Sequence, residues 1–240
     1  LERLDRSFDA QRRFAANASH ELRTPLTINR TLIQVALDAP NTPPATRELG
    51  TTLLAVNQRH ERLIDGLLVL ATSETTLTEN TLVDLADLAR HVATHTVDAA
   101  RVAGVEIRTA LAAAPTVGDP VLLERLVHNL LDNAVRYNLP EHGWVSITTG
   151  TGTAHAHLTV ENSGPSTPAD EVDGLFEPFR RRTSTDRRTE TEQSQPGRGA
   201  GLGLSIVRAV AHAHHGQVHA HARPDGGLTI EVRLPTRPTT

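Results

Sequence analysis

The sequence contains no cysteine, no methionine and no lysine, and only 2% of it is aromatic. Without cysteine there are no disulfides, no thiolate metal sites and no cysteine nucleophile. Without methionine, even at position 1, the chain is expected to be a fragment or a processed form of a longer protein. Without lysine, every role that lysine commonly fills falls to arginine, whose planar guanidinium offers a five-donor fork. With so few aromatic rings the core must be built from Leu, Val, Ile and Ala. No run of about 18 apolar residues exists, so no transmembrane helix is expected within these residues, and no signal peptide is visible. The formal charge is −4, which does not point to nucleic acid or an anionic membrane as partner.

What is present divides in two. Leu1, Leu4, Phe8, Gln11, Ala15, Ala18 and Leu22 recur at steps of three and four, as in a heptad seam. The pattern continues through Leu26, Leu32, Ile33 and Leu37, then breaks over residues 38–44, which hold Pro40, Asn41, Pro43 and Pro44. A second amphipathic helix is expected from about Thr46 to Thr72, with Leu49, Leu53, Val56, Leu63, Leu67 and Leu70 on its apolar side. Two such helices form a hairpin, which cannot enclose a core alone. Dimerisation into a four-helix bundle would bury both stripes.

Beyond a polar stretch at residues 73–80 the pattern mixes helices and strands. Helices are expected at Leu85–Val102, Asp119–Tyr137, Pro168–Leu175 and Leu202–His215, the last ended by Gly216. Strands are expected at Val105–Arg108, Val145–Thr148, His157–Val160, Val218–Ala222 and Leu228–Leu234, with Asp225-Gly226-Gly227 as a hairpin turn. One mixed sheet with helices on one face accounts for this order. The fold class is therefore α+β.

Three segments carry chemistry. In the first, His20 lies on a helix with Asn17 and Thr24 near its face and Glu21 beside it. A histidine nucleophile must be neutral, and a carboxylate accepting Nδ1–H would leave Nε2 as the attacking atom. Pro25 should bend the helix just after this site. Alone, the segment reads equally well as a solvated helix face. In the second, Asn129, Asn133 and Arg136 share one helix stripe, which suits a Mg²⁺–triphosphate better than an all-protein metal cage. A plain amphipathic helix with a polar outer face is the stronger reading of that stripe taken alone. In the third, Gly197, Gly199, Gly201 and Gly203 precede a helix, where backbone N–H groups attract anions. Neither the Gly-Lys-Ser/Thr ending of a P-loop nor the strand that precedes a dinucleotide fingerprint is there.

Together and in this order, the segments resemble a bacterial sensor histidine kinase over nearly the whole chain, from about Leu1 to Pro235. Phe14–Thr27 resembles the H box, Asn129–Asn138 the N box and Asn162–Pro165 the G1 box. Leu175–Arg180 resembles the F box and Gly199–Leu204 the G2 box. The resemblance implies a dimerisation and histidine-phosphotransfer hairpin over residues 1–75, a hinge at 76–80 and a Bergerat-type α/β sandwich that binds ATP over 81–236. Leu1–Gln11 would then descend from a transmembrane relay, making the chain the cytoplasmic part of a membrane protein.

The resemblance also implies roles. His20 would accept phosphate from ATP, assisted by Glu21, and Thr24 would position the water that dephosphorylates a partner response regulator's receiver domain. Asn133 would ligate Mg²⁺ with Asn129 near it, Arg136 would touch phosphate, and Tyr137 would lie along the adenine. Asn162, Gly164, Phe179, Arg180, Gly199, Gly201, Leu202, Gly203 and Leu204 would complete the nucleotide pocket. The segment from Arg180 to Arg198 would be the lid, with six arginines against Asp186, Glu190 and Glu192.

Two departures stand out. The family's usual Asp toward the adenine amino group is here Asn162, which accepts a hydrogen bond without charge. On that ground ATP binding is expected to be about tenfold weaker than with Asp, and Asn162→Asp to restore it. Ser166 and Thr167 replace a usual Gly and aliphatic residue. His212, His214, His215, His219 and His221 cluster without acidic or thiolate partners, so a metal site there is disfavoured. The competing readings are a Bergerat ATPase or anti-sigma serine kinase, which lacks the H-box hairpin, and a scaffold that no longer binds ATP.

Overall fold

The computed structural model describes residues 24–40, 42–72, 81–178 and 201–236. Compact packing divides the chain into two units, one containing residues 1–72 and the other containing 73–182 and 203–240.

The first unit holds helix α1 (24–38) and helix α2 (Pro44–Thr72). The turn between them is tied by Thr42, whose Oγ1 donates to Ala36 O at 3.1 Å and to Ala39 O at 2.7 Å. These are carbonyls that the end of a helix leaves without partners. Further along, Asn57 donates from Nδ2 to Leu26 O at 2.9 Å, and Gly50 leaves no room for a Cβ beside the Leu37 side chain. The two pairings, Leu37 with Gly50 and Leu26 with Asn57, set the antiparallel register. The heptad seam expected before residue 24 and the hinge at 76–80 lie outside the described residues.

The second unit is built from β1 (Thr81–Asp84), α3 (Leu85–Val102), β2 (Val105–Leu111), β3 (Pro115–Gly118) and α4 (Pro120–Arg136). It continues with β4 (Gly143–Thr151), β5 (His155–Asn162), the single-turn α5 (Ala169–Val172) and a 3₁₀ turn (Asp173–Phe176). Helix α6 (Gly203–Ala213), β6 (Gln217–Ala222) and β7 (Leu228–Pro235) complete it. Five strands form one mixed sheet in the order β2-β4-β5-β7-β6, in which only β2 and β4 run parallel. A separate antiparallel pair, β1 with β3, was not expected from the sequence.

Alternation makes one sheet face apolar. Val145 and Ile147 of β4, Ala156, Leu158 and Val160 of β5, and Leu228, Ile230, Val232 and Leu234 of β7 are all buried. Against them α4 buries Leu123, Leu126, Val127, Leu130, Leu131 and Ala134, spaced at threes and fours as one helical stripe demands. Helix α4 starts where Asp119 accepts hydrogen bonds from Val121 N (2.9 Å) and Leu122 N (3.2 Å), with Pro120 at the first position. Such a cap is worth about 1 kcal/mol.

Helix α6 ends earlier than the sequence suggests. It stops at Ala213, and the left-handed residue is His215 (φ 55°) rather than Gly216. Gly216 is needed for another reason: a Cβ there would meet Arg233 O at 2.4 Å. His214 is buried and staples α6 to the start of α4. Its Nε2 accepts from Asp119 N at 3.1 Å, so Nδ1 carries the proton and donates to Val210 O at 2.7 Å.

Candidate functional site

Three separated stretches of the second unit are linked along the second half of α4 and the loop after β5. The first is the α4 stripe. Asn129 donates from Nδ2 to Arg125 O at 2.8 Å, which leaves its Oδ1 turned toward Gly203, where a Cβ would stand 3.5 Å from it. The expected stripe of residue 129 and the expected glycine loop thus meet at the first residue of α6. Asn133 is half-buried, one turn further on, and its side chain has no hydrogen bond among the described residues. Arg136 is on the same helix but pairs with Asp132, Nη2 to Oδ2 at 3.0 Å. That ion pair lines a hollow of about 410 Å³ together with Val135, Leu139 and Pro140.

The second stretch is the end of β5. Asn162 is buried, and its Nδ2 donates to Ser163 O at 2.7 Å and to Tyr137 O at 3.4 Å. Both amide hydrogens are therefore directed at main-chain carbonyls. Tyr137, the C-cap of α4, is 38% exposed. Its carbonyl, not its ring, meets Asn162. Gly164 follows, and a Cβ there would lie 2.6 Å from Tyr137 O and 3.0 Å from Asn162 Nδ2. Any larger residue would push β5 away from the helix end.

The third stretch is the β6–β7 turn. Gly226 and Gly227 have φ of 87° and 84°, a region costly for residues with a Cβ. A Cβ on Gly226 would meet Gly164 O at 2.4 Å, and one on Gly227 would meet Asn162 O at 1.9 Å. Gly227 N also donates to Pro165 O at 3.3 Å. The turn thus backs the loop after β5.

Two side chains that sequence reasoning gave no role join these stretches. Ser163 Oγ donates to Asn138 Oδ1 at 2.6 Å and accepts from Trp144 N at 2.8 Å. Asn138 donates from Nδ2 to Ala134 O at 2.9 Å and to Trp144 O at 3.0 Å, and its Oδ1 also accepts from Leu139 N at 2.9 Å. A short polar residue just past a helix end and two before Pro140 was the available signal. Trp144 itself lies under Arg223 (4.7 Å to the ring centroid) and Arg108 (5.5 Å).

The remaining expected residues fall as follows. Gly201 takes φ 73°, and Leu202 and Leu204 are buried. Thr24 is exposed on the first turn of α1. His20, Glu21, Phe179, Arg180 and Gly199 lie outside the described residues. Thr167, one of the departures, is buried with its hydroxyl unpartnered among the described residues. Among the described residues there is no cluster of three His, Asp or Glu side chains arranged to hold a metal.

Residues 118–238 match the family of histidine kinase-, DNA gyrase B- and HSP90-like ATPases, and residues 10–76 match the His kinase A phospho-acceptor domain. The chain is 50% identical over 239 residues to sensor protein CutS of Streptomyces coelicolor, covering 98% of this chain and 55% of that protein. It is 34% identical to sensor protein kinase PmrB of Pseudomonas aeruginosa over 77% of this chain and 39% of the relative. The chain thus spans about half the length, or less, of these relatives. Among solved structures, full-length ShkA in complex with AMPPNP superposes with a TM-score of 0.71 at 25% identity, over 93% of this chain and 45% of that one. The mycobacterial sensor histidine kinase MprB gives 0.55 at 27% identity, over 66% of this chain and all of that one.

Proposed function

This chain belongs to the two-component sensor histidine kinases, and from that premise we propose that it moves the γ-phosphoryl group of ATP to His20 and then to an aspartate of a response regulator. The observation that carries this reading is that one helix, α4, meets Gly203 at the start of α6 through Asn129 and, about two turns on, meets Asn162 and Gly164 through the carbonyl of Tyr137. A purine site and an oxygen-ligand stripe on one short helix are what a nucleotide triphosphate needs.

Asn162 Oδ1, with both amide hydrogens engaged elsewhere, accepts from the adenine amino group. Asn129 Oδ1 and the Asn133 carboxamide fit a magnesium ion that takes most of its ligands from phosphate and water. When bound, Mg²⁺ neutralises phosphate charge. The N-terminus of α6 adds main-chain N–H groups for the phosphates, with Gly203 keeping its approach to Asn129 open. Arg136 reaches phosphate by leaving Asp132, an exchange of one anion for another. Tyr137 flanks the base, and Gly201, Leu202 and Leu204 shape the loop behind the phosphates. Phe179, Arg180 and Gly199 belong to the lid side of the pocket.

At the phosphotransfer end, Glu21 accepts Nδ1–H of His20 and leaves the Nε2 lone pair to attack phosphorus as the bond to ADP breaks. Positioning and charge neutralisation carry most of such a reaction. Thr24, four residues past His20, orients water for the reverse task, dephosphorylation of the regulator. The division at 1–75, 76–80 and 81–236 separates donor site from acceptor site, and a homodimeric four-helix bundle carries the acceptor. ATP places these residues on the cytoplasmic side. No described helix is long and apolar enough to cross a membrane.

Incubation with γ-labelled ATP and Mg²⁺ tests the reading. Acid-labile, base-stable label is expected on the chain and absent from His20→Gln. Equal labelling of both would end this assignment. Thr24→Ala is expected to slow regulator dephosphorylation while leaving autophosphorylation intact.

A further inference from the structure

A carboxamide has two faces. Its oxygen accepts a hydrogen bond, as the 6-amino group of adenine requires; its NH₂ donates one, as O6 of guanine requires. An unrestrained asparagine at the purine contact would turn about its last bond and read either base. An aspartate could read only the donor.

Asn162 is not unrestrained. Turning it over would bring its oxygen against Ser163 O and Tyr137 O, the two carbonyls that Nδ2 now serves at 2.7 and 3.4 Å. Those carbonyls are held in turn. Ser163 N donates to Trp144 O at 3.0 Å, and its Oγ bridges Trp144 N and Asn138 Oδ1. Asn138 uses every polar hydrogen and lone-pair direction of its amide: two donations to Ala134 O and Trp144 O, and two acceptances from Leu139 N and Ser163 Oγ. A fully satisfied, half-buried network favours one arrangement, because any turn leaves partners unpaired.

We propose that Asn138 and Ser163 are positioning residues that hold the Asn162 carboxamide with its oxygen toward the base, and thereby set the preference for adenine over guanine nucleotides. This rests on the reading of Asn162 as the purine contact. It also changes the expectation for Asn162→Asp. A carboxylate brings charge to the adenine amino group but no proton for Ser163 O or Tyr137 O, so the gain is opposed at once. ATP affinity is expected to stay within a few-fold of wild type, with the adenine preference kept.

The test measures ATP and GTP affinities of the full chain with Mg²⁺, using the fluorescence of Trp144, the only tryptophan. Ser163→Ala removes the bridge. It is expected to lower the ATP-to-GTP preference about tenfold, the order of one neutral hydrogen bond. Ser163→Thr keeps the hydroxyl and should keep the preference. Asn138→Ala reaches the same lock from the helix side and serves if Ser163→Ala melts early. Equal weakening of both nucleotides, with an unchanged ratio in both alanine variants, would overturn the proposal. A wild-type chain that binds neither nucleotide would instead overturn the purine reading itself, and this inference with it.

Discussion

The two units treat their apolar residues in opposite ways. In the α/β unit, Leu123, Leu126, Leu131, Ile147, Leu158 and Leu234 are wholly enclosed by helices and sheet of the same unit. In the hairpin, Ile28, Leu32 and Val35 of α1 and Leu49, Leu53 and Val56 of α2 remain exposed, from 40% at Val56 to 66% at Val35. The residues of α1 and those of α2 each follow the same i, i+4, i+7 spacing, so each of these helices presents a stripe. A layered unit can cover both sides of its own core; two helices side by side cannot. The nucleotide unit thus encloses its own core, while the hairpin has its stripes available for a second copy, which is where the proposed dimer buries them.

The sharpest way to break this contrast is Leu126→Ala. Removing a fully enclosed leucine side chain should cost about 2–5 kcal/mol in chemical denaturation of the nucleotide unit. A loss under about 1 kcal/mol would mean that the core is not closed. Next comes the double change Leu32→Glu with Leu53→Glu. Sedimentation should show the dimer weakened by about 100-fold or more, roughly 2.7 kcal/mol, while the melting of the nucleotide unit stays put. An unchanged dimer would place the partner surface elsewhere.

A third measurement uses acid. Burial holds the His214 imidazole below its ordinary value of 6.5, against the opposing hydrogen bond to Val210 and the charge of Asp119. As pH falls through about 6.5 the unfolded chain takes up this proton first, so stability is full above that pH and is lost from there down through the folded pKa. Thermal midpoints at pH 7.5 and 5.5 should show the fall, and His214→Gln should reduce it. The smallest effect is a gain. Thr167 buries a hydroxyl that has no partner among the described residues, so Thr167→Val should stabilise the nucleotide unit by about 1 kcal/mol in the same denaturation assay.

Much of the fold was legible because it rests on local rules. The capped start of α4 was visible in Asp119-Pro120, and Leu85–Val102 reads as a helix from its apolar spacing, as found. Strand cores were visible, but their ends were drawn short: β2 runs three residues beyond Arg108, to Leu111, because its partner β4 continues alongside it. The β1–β3 pair was not legible, since four-residue strands have no period to read and owe their existence to a tertiary pairing. In the site, the stripe of Asn129 and Asn133 was readable from spacing. The polar lock of Asn138 and Ser163 was not, because its members are 25 residues apart and meet only when β5 closes on α4. Spacing likewise put Arg136 on that helix stripe, but its ion pair with Asp132 was not read from the sequence.

One topological detail bears on the order in which the chain can fold. β7 is the last described strand in the chain, yet it lies between β5 and β6 in the sheet. As the polypeptide leaves the ribosome, β5 and β6 both wait with an open edge until Leu228–Pro235 emerges and slots between them. Only then does the glycine turn arrive behind Asn162. The surroundings of Asn162 are therefore completed only once the chain has been made as far as β7.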